Sequence, residues 1–81
     1  MKQSEFLLQY FKFVDNTYEV NGVTYNEDYY VFSHDELNFE IYYFIEKNEW
    51  LVDNKVTDFA NVKAFIDGLV MLGVIEWERK K

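Results

Sequence analysis

The chain has 81 residues, enough for one domain, residues 1–81, and no more. With 8 Phe, 7 Tyr and 2 Trp among 49% hydrophobic residues, it can bury a dense core despite its charge, which argues against a disordered chain. The absence of cysteine excludes a disulfide framework and thiolate chemistry, and a net charge of −7 argues against direct binding of nucleic acid.

The first element expected is a helix over 4–14. Ser4 can cap it, and Glu5 sits in the first turn, where the helix dipole favours an acid. Phe6, Tyr10 and Phe13 share one face, and Leu7, Phe11 and Val14 a neighbouring one, so the apolar arc is wide. Asp15-Asn16 ends the pattern. The same stretch lacks an apolar run of signal-peptide length and a small-residue cleavage site, and no segment reaches the ~18 apolar residues of a membrane span. The expectation is a soluble, cytoplasmic protein with no membrane partner.

The hydrophobic period then changes to two. In YEVNGVTY, residues 18–25, Asn21-Gly22 between alternating residues predicts a type I′ hairpin with Val20 opposite Val23 and Tyr18 opposite Tyr25. DYYVFS, 28–33, is a further strand, and HDEL a polar loop. NFEIYYFIE, 38–46, is the longest strand. EKNE turns the chain, WLV at 50–52 begins a last strand, and DNK closes it.

Helical spacing returns with Val62, Phe65, Ile66, Leu69 and Leu72, after a cap at Thr57 or Asp58. Gly68 weakens this helix by about 1 kcal/mol relative to Ala, and Gly73 suits the left-handed position that ends it. The helix is expected over 58–72, followed by an irregular or short helical tail over 74–81. The order α-β-β-β-β-α predicts a two-layer α+β fold, with an antiparallel meander sheet packed by the N- and C-terminal helices.

Little here carries reaction chemistry. His34 is the only histidine, and no second histidine or cysteine completes a metal site. Ser4 and Ser33 are the only serines, and adjacent acids such as Glu27-Asp28 and Asp35-Glu36 point to opposite faces of a strand. No glycine-rich loop is present for phosphates. The expectation is a non-enzymatic chain without a metal or cofactor.

Charge placement points elsewhere. Eleven of the fifteen acids lie between Asp15 and Asp58 against two lysines, Lys47 and Lys55, so that segment carries −9. Tyr30, Phe32, Tyr42 and Phe44 could stack bases, but this charge repels phosphates. The same carboxylates imitate a nucleic acid electrostatically and steer encounter with a basic protein surface. Codon-level composition, rich in Asn, Lys, Tyr and Phe and poor in Ala, Arg and Pro, fits a low-GC bacterium or a phage or mobile element in one. In size, charge and composition alone, with no motif behind the likeness, the chain is similar to the small acidic inhibitors such elements make, including anti-CRISPR and anti-restriction proteins.

The stretch 38–46 decides where such a partner could dock. Phe39, Ile41, Tyr43 and Ile45 point one way and Glu40, Tyr42, Phe44 and Glu46 the other. With one helix on each face, Tyr42 and Phe44 are core. With both helices on one face, they form an exposed interface, and the short chain favours this layout. The expected partner-binding residues are Glu27, Asp28, Asp35, Glu36, Glu40, Tyr42, Phe44 and Glu46. The alternative is a homodimerising structural or adaptor domain using the aromatic face, and a third option is a small enzyme or ligand-binding domain.

Overall fold

The computed structural model describes residues 2–75, so the expectation for 76–81 lies outside the described residues. The first helix, α1 (Gln3–Tyr10), is shorter than expected. Lys2 occupies its N-cap with no side-chain hydrogen bond, so Ser4 does not cap it. At Phe11 the backbone becomes extended, and the next residues form strand β1 (Lys12–Val14). The reason is tertiary. A helix of so few residues is marginal on its own, and the aromatic and β-branched Phe13 and Val14 gain strand pairing with Tyr29 and Tyr30.

Asp15 and Asn16 lead into the expected hairpin, β2 (Thr17–Val20) and β3 (Val23–Asn26). Its register is as expected, with Val20 opposite Val23 and Tyr18 opposite Tyr25. Asn21 and Gly22 both have positive φ, 52° and 80°, as a type I′ turn requires. The hairpin does not join the main sheet but forms a two-stranded sheet of its own.

The main sheet has five antiparallel strands in the order β1-β4-β5-β6-β7, with β4 (Tyr29–His34), β5 (Phe39–Phe44), β6 (Glu49–Val52) and β7 (Lys55–Thr57). The described residues therefore hold seven strands, against four in the expected order and five stretches read as strands along the chain, none of which covered the edge strands β1 and β7. The α-to-strands-to-α order and the antiparallel α+β fold are as expected. The DNK segment opens β7 instead of closing the sheet. Asp53 and Asn54 stand at φ 48° and 68°, making a two-residue turn that pairs Val52 with Lys55. Asn and Asp are the side chains that best tolerate this region.

Helix α2 (Phe59–Met71) begins at Asp58, whose carboxylate accepts the Asn61 N–H at 2.8 Å. It ends with Gly73 at φ 76°, the Gly73 N–H bonded to Val70 O and the Val74 N–H to Leu69 O. This double bond pattern satisfies carbonyls that the helix end would otherwise orphan.

Both helices pack on one face of the sheet. Phe6 and Leu7 of α1, Val62 and Ile66 of α2, and Phe39, Ile41, Tyr43 and Trp50 of the sheet form one buried cluster with Phe11. Two residues of the C-terminal helical pattern lie outside this core, as does Phe13, 48% exposed in β1. Phe65 is 41% exposed, touching Phe39 only edge-on, and Leu72 is largely exposed beyond the helix end. Ile45 is also exposed, because β5 stops at Phe44 and Ile45 enters the turn.

This placement predicts unequal costs along α2. Ile66→Ala should destabilise the domain by about 2–5 kcal/mol, the usual loss for a buried aliphatic side chain. Phe65→Ala should cost clearly less, although phenylalanine is larger. Urea unfolding of the two variants followed by tryptophan fluorescence checks the order, and equal losses would contradict it.

Candidate interaction surface

Strand register places the remaining sheet residues on the uncovered face. Tyr29 pairs with Phe44, Val31 with Tyr42, and Ser33 with Glu40. Across the other side of β5, Tyr42 pairs with Leu51 and Phe44 with Glu49, and Leu51 in turn pairs with Val56. Opposed residues in an antiparallel pair share a face. At its centre lies a triangle of rings. Tyr29 is 5.5 Å from both Tyr42 and Phe44, and Tyr42 lies 5.9 Å from Phe44 with the rings nearly parallel. Each of these rings is half-buried by its neighbours, and no described helix covers them.

The covered and uncovered faces divide the four rings considered for base stacking. Tyr30 and Phe32 pack against the core, whereas Tyr42 and Phe44 point away. A four-ring platform on one face therefore does not exist.

Of the eight expected contact residues, Tyr42 and Phe44 belong to the central rings, and the six carboxylates fall at two ends of this face. Asp35 and Glu36 lie in the β4–β5 turn, and Glu40 lies beside it. There Asp53 is locked to Glu40, accepting the Glu40 N–H at its Oδ1 and donating its own N–H to the Glu40 carbonyl. Tyr42 OH reaches Glu40 Oε2 at 3.4 Å. Partial burial raises the Tyr42 phenol above its ordinary pKa, and Glu40 adds to the effect. Glu27 and Asp28 sit at the opposite end, at the root of the hairpin, with Phe44 and Glu46 across a groove of about 510 Å³. Residue spacing alone did not reveal this grouping, nor the part played by Tyr25, Tyr29, Val31, Glu49 and Leu51. The pairing register, once the turn lengths are known, is the signal that finds the sheet members.

The hairpin stands out as an arm. Its four apolar residues, Tyr18, Val20, Val23 and Tyr25, are between 40 and 51% exposed. Tyr18 and Tyr25 stack at 5.4 Å. The radius of gyration is 14.2 Å, against about 12 Å for a compact chain of this length. The arm is tied at its base. The Asn16 N–H donates to Asp28 Oδ1 at 2.8 Å, and the Glu27 N–H donates to the Asn16 carbonyl at 2.9 Å. Tyr18 OH donates to Glu27 Oε1 at 2.9 Å, and this bond raises the Tyr18 phenol's pKa.

His34 stacks flat on Phe39, with ring centroids 5.7 Å apart. Its Nδ1 accepts the Leu37 N–H at 3.1 Å, which shapes the turn. Among the described residues, no three His, Cys, Asp or Glu side chains converge on a point that could hold a metal ion. No helix among the described residues is long and apolar enough to cross a membrane. Compared with known proteins, the chain matches no family model, no curated protein and no solved structure.

The arm's anchor has a pH dependence with a definite sign. The Asn16 N–H holds the Asp28 carboxyl below its ordinary value of 3.8. A depressed folded pKa means the anchor is fully present above that ordinary value and is lost as pH falls through the folded one. Asp28→Ala should therefore lower the hydrogen-exchange protection of the Asn16 and Glu27 amides at neutral pH while leaving those of Ile41 and Tyr43 unchanged. In the unmodified protein the same two amides should keep their protection factors from pH 7 down to about pH 5. Loss of protection across the whole sheet would show that the anchor supports the fold and not the arm alone.

Proposed function

We propose that the protein is a non-enzymatic interaction module whose uncovered sheet face docks on a basic protein surface, as an inhibitor or nucleic-acid mimic. The observation that carries this reading is the ring triangle of Tyr29, Tyr42 and Phe44, which no described helix covers, between two groups of carboxylates. Rings at the centre of an interface, excluded from water by a polar rim, supply most of the affinity in protein complexes. Among the described residues, no salt bridge neutralises the rim acids Glu40, Glu46 and Glu49. The ion pair found among the described residues is Lys63–Asp67, along α2 and away from this face. Unneutralised carboxylates speed encounter with a cationic surface and discriminate against acidic ones. They also oppose approach of nucleic acid and of anionic membrane.

A homodimer through the same face is the second reading. Val31, Leu51 and Val56 continue the apolar surface outward from the rings, and Val56 is 69% exposed. Stacking two such faces, however, brings like-charged rims together.

The kinetic test uses a partner purified after capture on the immobilised protein. Exchanging Glu40→Lys together with Glu46→Lys should slow association by roughly ten-fold or more at low salt and flatten its salt dependence. Phe44→Ala or Tyr42→Ala should instead speed dissociation, by about 2 kcal/mol if the ring is a central anchor, while thermal melts show the domain still folded. Salt-independent binding, or a partner that is itself acidic, overturns the proposal and promotes the dimer, which sedimentation would detect.

A further inference from the structure

Resting on that reading, we propose that the groove between the arm and the end of β5 seats an arginine side chain of the partner protein. Phe44 and Tyr25 supply aromatic walls, one from the sheet and one from the arm, and Glu27, Asp28 and Glu46 add carboxylates around them. The volume, about 510 Å³, lies in the range of sites that enclose small ligands. Among the described residues of the lining, Lys47 is the only cation beside Glu27, Asp28 and Glu46, so this lining carries a net negative charge that a cation complements. Phe44 also belongs to the ring triangle, so the groove continues the docking face instead of forming a separate site.

The chemistry selects guanidinium over other cations. The carboxylates share the groove but do not converge closely enough to ligate a metal ion. Glu27 and Asp28 are already oriented by bonds from Tyr18 and Asn16, whereas Glu46 receives no side-chain hydrogen bond among the described residues. A guanidinium group spreads five N–H donors in a plane, which suits separated carboxylates, and its faces stack on aromatic rings. An ammonium group concentrates its charge at a point and stays more strongly hydrated.

NMR titration with a tetra-arginine peptide, and with tetra-lysine as the equal-charge control, tests this assignment. Shifts from tetra-arginine should concentrate on Tyr25, Asn26, Phe44 and Glu46, with an affinity at least several-fold above that for tetra-lysine. Glu46→Gln and Phe44→Leu should each shrink that preference, and the exposed Glu46 site keeps the test independent of folding. Equal binding of the two peptides overturns the arginine assignment. Shifts spread evenly over Asp35, Glu36, Glu40 and Asp53 overturn the groove alone and leave the basic-surface reading standing. Absence of binding by either peptide overturns both. Concentration-dependent shifts at the groove without peptide assign it to a second copy of the chain, and equally overturn the proposal.

Discussion

Trp50 stands where the two helices and the sheet meet. Its ring lies 4.5 Å from Tyr43 on the neighbouring strand, 5.6 Å from Phe59 at the start of α2, and 5.9 Å from Phe11 at the end of α1. Phe6 closes the cluster, edge-on to Phe59 and Tyr10. Large rings with edge-to-face contacts gain more than their area alone provides. A domain of this size has little else with which to offset chain entropy. The packing draws both helices to the Trp50 side. The 21 helical residues among those described, 8 in α1 and 13 in α2, are spent there, and no described helix covers the opposite face of the five-stranded sheet.

Asparagine shapes the chain wherever it reverses. Asn21, Asn38, Asn48 and Asn54 all hold positive φ at turns, joined by Asp53 and Gly22. Asn48 also accepts the buried Tyr43 hydroxyl at 2.8 Å, so one side chain sets a turn and satisfies a core phenol. The short turns make β4 through β7 a meander. The arm, in contrast, is an excursion between β1 and β4. Two strands alone are marginally stable in water, so its order rests on the type I′ turn, the Tyr18–Tyr25 stack and the bonds at its base.

Much of this was legible in the residues. Period-two alternation in 38–46 gives the buried set Phe39, Ile41 and Tyr43, and Asn21-Gly22 gives the arm's register. Asp58 and Gly73 mark the ends of α2. What could not be read was decided by tertiary competition. Phe11 to Val14 satisfy a helical period, yet pairing with β4 converts 12–14 to strand. Asp53-Asn54 is a weaker turn signal than Asn-Gly, because both residues must accept a strained region that glycine enters freely. The arm's separation from the sheet leaves no trace in a register that is locally ideal. Of the candidate surface, the ring pair Tyr42 and Phe44 followed from alternation, whereas Tyr29 and Tyr25 joined it through pairing and placement across strands distant in sequence.

Edge chemistry narrows how such a sheet can meet another protein. An exposed edge offers unpaired backbone groups and recruits further strands unless it is short, charged or twisted away. Here β1 and β7 are three residues each, and each carries a lysine, Lys12 and Lys55. Lys12 pairs with Val31, on the uncovered face, while Lys55 pairs with Val52, on the covered one. Added strands would have to desolvate these ammonium groups for a gain of only two or three ladder bonds. The uncovered face has no comparable obstacle at its centre, where the carboxylates stand aside at the ends of the strands. On the proposed reading, burial of the ring triangle against a partner removes apolar surface while the carboxylates stay at its rim, so the face, and not the edge, is where docking is proposed.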